Sequence, residues 1–100
     1  MLRHVVFFKF KDSAEGGDKQ ANMSRVKKML EALVGRVPTL VSMSAGPNAV
    51  ESASAWDFAL VAEFADADGL QAYTVHPEHK KVSEFVSKVR TERASVDFLF

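Results

Sequence analysis

The sequence contains no cysteine, which excludes disulfides, thiolate nucleophiles and cysteine-based zinc or iron–sulfur sites. Neither sign of charge predominates: thirteen basic and thirteen acidic residues cancel without forming a stripe, so we expect no nucleic-acid partner. No apolar run approaches the roughly 20 residues of a membrane span, and the first residues, MLRHVVFFKFKD, lack a signal-peptide cleavage site. We therefore expect a soluble, cytoplasmic protein with no membrane association.

Proline is also scarce, with three in 100 residues, and no low-complexity segment or linker divides the chain. This is the length of one compact domain, so residues 1–100 are predicted to form a single domain. A chain of this size buries roughly 60 to 65% of the surface of its unfolded state. An additional interface with a second chain would therefore add to its stability.

The first segment, residues 2–11, is rich in β-branched and aromatic residues, which predicts a strand. Both of its faces are apolar: Val5 and Phe7 lie on one face, and His4 lies among four apolar side chains on the other. Those four are Leu2, Val6, Phe8 and Phe10. Antiparallel strands with one solvated face alternate apolar and polar residues. We therefore expect both faces of this strand to be covered.

The rest of the chain is predicted to form three more strands and two helical regions. Asp18 is placed to cap the first helix, whose apolar stripe should end near Gly35. Asp66 is placed to cap a short helix, and Pro77 should begin a longer one. The stripe of the first helix is Met23, Val26, Leu30 and Leu33. The later strands cover residues 39–46, 56–64 and 94–100, and the short helix covers residues 67–74.

This order of elements predicts an α+β fold, a ferredoxin-like βαββαβ sandwich. Such a sandwich carries its helices on one face of the sheet and leaves the other face open. Because the first and third strands are apolar on both faces, we expect a second copy of the chain to cover the open face. The product would be an isologous homodimer, a dimeric α+β barrel.

The segment YTVHPEH, residues 73–79, holds the only tyrosine and two of the three histidines. If Pro77 is the first helical residue, His79 lies about 20° from Val86 and about 60° from Val82 around the helix axis, so it faces the core. Burial and the positive end of the helix both favour the neutral imidazole. A neutral imidazole is the form that accepts a proton as a general base.

Tyr73 shares a helix face with Leu70, and its phenol could donate to a developing enolate oxygen. If the helices cover the His4 side of the first strand, His4, Tyr73 and His79 converge in an otherwise apolar cavity, the usual form of a small-molecule site. The predicted catalytic pair is His79 and Tyr73. The predicted substrate-binding lining is His4, Val6, Phe8, Leu70, Val82 and Val86.

Each polar residue also has a structural interpretation. His79 could donate to a backbone carbonyl at a helix junction, and Tyr73 could bury its ring while its hydroxyl stays in water. His76 falls at the cap position of the second helix. A metal site that combines the histidines with Glu78 or Asp66 is not expected, because the intervening proline separates the imidazoles and no HExxH spacing is present.

Three segments of the chain resemble the stress-responsive A/B-barrel (Dabb) family, whose members are dimeric α+β barrels of about this length. These segments are RHVVFFKFK, WDFALVAEFADADGLQAYTVHPEH and VDFLF. The best-understood chemistry in the family is that of olivetolic acid cyclase-type polyketide cyclases, which close a linear polyketide by an intramolecular aldol condensation. The resemblance implies His79 as the base, Tyr73 as its partner, His4 as a pocket histidine, and no cofactor.

The third strand departs from those cyclases, because WDFAL replaces a segment that contains a histidine, and this leaves the substrate open. The motifs match the Dabb family and not the related haem-degrading barrels. Two functions follow as alternatives. One is a cofactor-independent cyclase, lyase or isomerase that abstracts a proton next to a carbonyl. The other is a non-enzymatic stress-response protein that binds a hydrophobic small molecule or serves in assembly.

Overall fold

A four-stranded antiparallel sheet with three helices on one face forms the body of the protein; the structure, a computed structural model, describes residues 1–100. In chain order the elements are β1 (Leu2–Phe10), β2 (Ser13–Ala14), β3 (Gly17–Asp18), α1 (Lys19–Glu31), β4 (Ser42–Pro47), β5 (Phe58–Phe64), α2 (Ala67–Val75), α3 (Pro77–Val89) and β6 (Arg90–Leu99). The strand order in the main sheet is β4-β5-β1-β6. The predicted ferredoxin-like α+β fold is confirmed.

The central strand, β1, pairs antiparallel with β5 on one side and with β6 on the other. In this register His4 lies opposite Ala62 of β5 and Asp97 of β6. Even-numbered side chains of β1 are buried beneath the helices, and the odd-numbered ones point away. His4, which is 9% exposed, therefore lies inside the helix-covered layer, as the alternation predicts.

The helices begin where side chains cap them. The Asp18 carboxylate accepts a 2.8 Å hydrogen bond from the backbone N–H of Ala21, and the Asp66 carboxylate accepts one of 2.8 Å from Gly69. Pro77 is the first residue of α3, where no N–H partner is needed. All three helix starts match the prediction. No helix combines the length and the apolar character that crossing a membrane requires.

The core lies between the helices and the inner face of the sheet. The predicted stripe of α1 is buried throughout, and α3 contributes a second apolar stripe. The buried apolar residues from these two helices and the turn after α1 are Met23, Val26, Leu30, Leu33, Val82, Val86 and Val89. Full burial of each such side chain stabilises the fold by about 1.5–3 kcal/mol relative to exposure. This layer is therefore what holds the helices against the sheet.

Three strand boundaries differ from those predicted. β4 begins at Ser42 and not at residue 39, because the chain first makes turns that bury Leu40. β5 begins at Phe58, which lies opposite the last residue of β4. β6 begins at Arg90 and not at residue 94, directly after α3, because β1 is long enough to pair with it as far as Phe10.

The chain between β1 and β4 also differs from the prediction. α1 ends at Glu31, four residues before Gly35, which has a positive φ of 87° in the turn that follows. A short hairpin of β2 and β3 precedes α1, and the sequence pattern does not predict it. Its turn residues, Glu15 and Gly16, both have positive φ (51° and 78°), as a type I′ turn requires. Glutamate rarely adopts a positive φ, so the glutamate at position 15 gives no sign of this turn in the sequence.

The centre of the sheet face that points away from the helices is apolar and uncovered, between the Arg3–Glu63 and Lys9–Glu92 ion pairs. Val5, Val61 and Val96 lie side by side at its centre, on β1, β5 and β6. Phe7 and Phe98 extend this surface toward the two ends of the sheet. Val96 is 59% exposed and Phe98 is 41% exposed. These five residues are called the outer patch.

Replacing Asp66 tests whether its cap holds the helix that carries Tyr73. Asp66→Ala removes the acceptor for the Gly69 N–H and is expected to lower the free energy of unfolding by about 1 kcal/mol. Asp66→Asn keeps an acceptor at the same place and should retain most of the parental stability. Urea denaturation followed by circular dichroism measures both variants. Equal losses in the two would contradict the capping role.

Candidate functional site

The break between α2 and α3 brings Tyr73 and His79 together. α2 ends at Val75, His76 has an extended backbone (φ −66°, ψ 136°), and Pro77 starts α3. The ring centroids of Tyr73 and His79 lie 4.2 Å apart, with 40° between the ring planes. Both side chains line the same cavity.

One nitrogen of His79 is bound to the backbone. Its Nδ1 lies 3.2 Å from the carbonyl oxygen of Thr74, in the last turn of α2, where carbonyls lack helical partners. Because a carbonyl oxygen only accepts, Nδ1 carries the proton and donates it. In the neutral imidazole, Nε2 then has a free lone pair and is able to take up a proton. The structural hydrogen bond and the role of a base are therefore compatible.

The surroundings of His79 favour its neutral form. Burial lowers the pKa of His79 below its usual value of 6.5. The hydrogen bond to Thr74 raises this pKa, and positive charge nearby, including that of His4 and Arg93, lowers it again. Burial is the largest of these causes, so the net direction is downward. His79 is therefore uncharged near pH 7.

Tyr73 is enclosed, with an exposed fraction of 2%, and its ring packs against Phe64 with 5.1 Å between centroids. The ring is therefore buried, as the structural interpretation of Tyr73 predicts, and the residue lines the cavity. Burial raises the pKa of Tyr73, and the charge of Arg93 opposes this rise only in part. The phenol stays protonated and is able to donate a hydrogen bond into the cavity.

His4 has an acidic partner that the sequence analysis did not identify. Its Nδ1 is hydrogen-bonded to Oδ1 of Asp97, the residue directly opposite on β6. Because a carboxylate accepts, Nδ1 is the donor in this pair. The bond fixes the orientation of the imidazole, and His4 lines the same cavity as Tyr73 and His79.

The cavity has a volume of about 280 Å³ and lies between α3 and the inner faces of β1 and β6. Four of the apolar residues predicted as its lining are in its wall: Val6, Phe8, Val82 and Val86. Leu70 is not in the wall but packs against the core, one turn before Tyr73. The prediction that Leu70 lines the cavity is therefore wrong. Residues on one helix face contact different neighbours when they lie a full turn apart.

The cavity is less apolar than predicted, since only seven of its fourteen lining residues are hydrophobic. The polar residues that the sequence analysis missed are Thr74, Ser83 and Ser87 on the helices, and Arg90 and Arg93 on β6. Both arginines precede the predicted start of β6. In a longer strand, the alternation of residues 93, 95 and 97 on one face is the signal that identifies Arg93. Arg90 lies on the same face only because the register shifts between Lys9 and Phe10, which the sequence does not indicate.

A larger groove of about 570 Å³ lies on the other face of the sheet, around Phe7, Trp56 and Ala94. Its lining contains no ionisable side chain, so it offers no group for acid–base chemistry. The smaller cavity is therefore the candidate site.

Nowhere in the chain are three or more His, Asp or Glu side chains grouped so that they could hold a metal ion. His76 caps α3 instead: its Nδ1 accepts a 3.1 Å hydrogen bond from the N–H of Glu78.

The fold and the cavity together define a ferredoxin-like α+β protein with a partly polar, small-molecule-sized site under its helices. The chain belongs to the stress responsive A/B barrel domain (Dabb) family, whose family model matches residues 2–100. A relative, an uncharacterised protein of Streptomyces coelicolor, is 34% identical over 80 residues, which is 80% of each chain.

Several solved structures are similar to the chain in fold. A dimeric protein of unknown function from Bacteroides fragilis, with a ferredoxin-like fold, is 29% identical with a TM-score of 0.87 over 99% of this chain and 95% of that one. A dimeric ferredoxin-like protein of unknown function from Thermobifida fusca is 26% identical, with a TM-score of 0.85 over 99% and 90%. A hydroxynitrile lyase from Passiflora edulis is 14% identical, with a TM-score of 0.80 over 99% and 92%, which is a likeness of fold alone.

The lowered pKa of His79 predicts how stability depends on pH. The unfolded chain takes up a proton at the usual histidine pKa of about 6.5, and the folded chain does so only at lower pH. The contribution of neutral His79 is therefore present above about pH 6.5 and is lost as the pH falls through the folded-state pKa. Urea denaturation between about pH 7 and 5 should show this loss.

The matched variant for this experiment is His79→Gln, which has no titrating group. Its free energy of unfolding should fall less steeply with decreasing pH than that of the parent, since the two proteins differ only at residue 79. NMR of the histidine ring protons gives the folded-state pKa directly. A value for His79 at or above 6.5 would contradict the burial that the structure shows.

Proposed function

We propose that this protein is a cofactor-independent enzyme that abstracts a proton from a carbon next to a carbonyl and uses the enolate in an aldol-type cyclisation or a related lyase or isomerase step. The observation that carries the proposal is the pairing of His79 and Tyr73. A neutral imidazole with a free Nε2 and a protonated phenol line one cavity, with ring centroids 4.2 Å apart. A base and an oxyanion donor are the two groups that such chemistry requires.

The proposed step uses both groups at once. Nε2 of His79 takes the proton from the substrate carbon, and the electron pair of that C–H bond moves to the carbonyl oxygen to give an enolate. The hydroxyl of Tyr73 donates a hydrogen bond to this oxygen as its charge develops. In a cyclisation, the enolate carbon then bonds to a second carbonyl carbon of the same substrate. The His79 imidazolium returns its proton to the new alkoxide.

His4 is proposed to orient the substrate. Its Nδ1 is held by Asp97, so its remaining nitrogen is free to contact a polar group of a ligand in the cavity. Because His4 is buried, a hydrogen bond to the ligand is stronger there than in water. The fold shared with a hydroxynitrile lyase does not assign the reaction, and the proposal rests on the geometry of His79 and Tyr73.

Deuterium exchange tests the proposal without knowledge of the natural substrate. The protein is incubated in D₂O with linear β-keto thioesters and simple methyl ketones, and exchange of the protons next to the carbonyl is followed by ¹H NMR. The parent should accelerate exchange over buffer. His79→Ala should reduce the acceleration by about 10²- to 10⁴-fold. Tyr73→Phe, which keeps the ring in the core, should reduce it by about 10²-fold or more.

The matched control is His76→Asn, which removes an imidazole outside the cavity and keeps an acceptor for the cap of α3. This variant should exchange protons at the parental rate. Exchange in folded His79→Ala at the parental rate would remove the catalytic claim. Binding of these compounds without accelerated exchange in the parent would favour the alternative of a non-enzymatic ligand-binding protein.

The outer patch supports a homodimer. Its side chains form a contiguous apolar surface at the centre of the sheet, and no helix of the same chain covers it. Exposed apolar surfaces of this kind mark association sites. In an isologous arrangement the outer patches of two copies pack on each other, which closes the two sheets into the α+β barrel. Three similar solved proteins are described as dimeric.

A charge within the outer patch should dissociate the dimer. Val96→Asp places a carboxylate where an apolar contact is expected, so sedimentation velocity at micromolar concentration should show a dimer for the parent and a monomer for the variant. Val50→Asp is the matched control, because Val50 is 76% exposed and lies in the loop before β5, outside the outer patch. A parental monomer, or a dimer that survives Val96→Asp unchanged, would contradict the proposed interface.

A further inference from the structure

The polar wall of the cavity carries positive charge from two arginines that are not paired with an acidic side chain. Arg90 and Arg93 line it on the inner face of β6, and its lining contains no aspartate or glutamate. Neither arginine takes part in an ion pair. In the chain as a whole, acidic and basic residues are equal in number. A concave site with two guanidinium groups and no carboxylate is therefore suited to an anionic ligand.

The side chain of Arg93 lies in the same cavity as Tyr73 and His79, the reacting pair. Its Nη1 lies 3.5 Å from Oγ of Ser95, the next residue on the same strand face toward Asp97. The Asp97 carboxylate on that face is already bound to His4. The charge of Arg93 also lowers the pKa values of both Tyr73 and His79. Arg93, Tyr73 and His79 all line the same cavity, so one ligand can contact all three side chains.

Two hydroxyl groups complete this wall. Ser83 and Ser87 lie one turn apart on α3 and line the cavity together with the arginines. A planar guanidinium binds a carboxylate through two parallel hydrogen bonds. The Ser83 hydroxyl adds a further donor, whereas the Ser87 hydroxyl already donates a 2.6 Å hydrogen bond to the Glu84 carbonyl. Apolar side chains of α3, Val82 and Val86, line the space beside them. The wall therefore offers donors at one end and an aliphatic surface next to them.

Building on the proposed function, we propose that the substrate is a small keto acid: Arg93, assisted by Arg90, binds its carboxylate, while its carbonyl lies between Tyr73 and His79. Arg93 and Asp97 are four residues apart on β6, which is about 13 Å along the strand. Tyr73 lies at the Asp97 end, because Phe64 packs against both Tyr73 and His4, the residue opposite Asp97. The arginine side chain spans part of this length. Several methylene groups should therefore separate the carboxylate of the ligand from the reacting carbonyl.

Calorimetric titration with matched ligands tests the inference. The ligands are 5-oxohexanoate and 7-oxooctanoate, each compared with its uncharged methyl ester. The parent should bind at least one acid about 10- to 100-fold more tightly than its ester. Arg93→Gln should abolish this difference by weakening only the acid, and Arg93→Lys should restore part of it. Arg36→Gln is the control, since Arg36 is not in the lining of this cavity and should leave both affinities unchanged.

The outcomes separate this inference from the proposed function. Equal binding of acid and ester, or an Arg93→Gln variant that weakens both equally, overturns the carboxylate site, even if methyl ketones still exchange protons in a His79-dependent way. Charge-dependent binding that Arg93→Gln abolishes supports the site. It does so even if no compound exchanges protons, in which case the proposed reaction fails and the anion-binding site stands.

Discussion

The geometry of the candidate site depends on one covalent constraint, the pyrrolidine ring of Pro77. Proline cannot continue α2, and the residue before it is driven to an extended conformation, as His76 shows. The break leaves the Thr74 carbonyl without a helical donor, and the imidazole of His79 supplies one at 3.2 Å. The hydrogen bond that satisfies the end of one helix thus selects the tautomer of the histidine at the start of the next. It also holds that histidine against Tyr73.

The sheet supplies the second half of the site by its register. β1 brings His4 beneath the helices because its side chains alternate strictly, and β6 places Asp97 directly opposite. A shift of one residue in this pairing would turn Asp97 to the outer face and leave His4 without its acceptor. The same register aligns Arg93 with Phe8 on the cavity side. One strand pairing therefore determines both the pair formed by buried His4 and half-exposed Asp97 and the charge at the cavity wall.

The parts of this arrangement that follow from local periodicity were predictable from the sequence. The alternation in β1, the stripes of α1 and α3 and the caps at Asp18, Asp66 and Pro77 all involve residues close in the chain. From these the inward direction of Tyr73 and His79 follows. Asp97 and Arg93 belong to the site only through pairing between the two ends of the chain. No local pattern indicates that β6 starts as early as Arg90.

The two faces of the sheet are connected through β6, an edge strand of the main sheet. Its inner face carries Arg93 and Asp97, and its outer face carries Val96 and Phe98. Most of β6 is exposed, so within one chain only its ladder with β1 holds it over much of its length. Edge strands fray more readily than central ones, because half of their backbone groups face solvent. Burial of Val96 and Phe98 against a second copy would oppose that fraying. Assembly at the outer patch would in this way fix the position of the charged wall on the other side of the same strand.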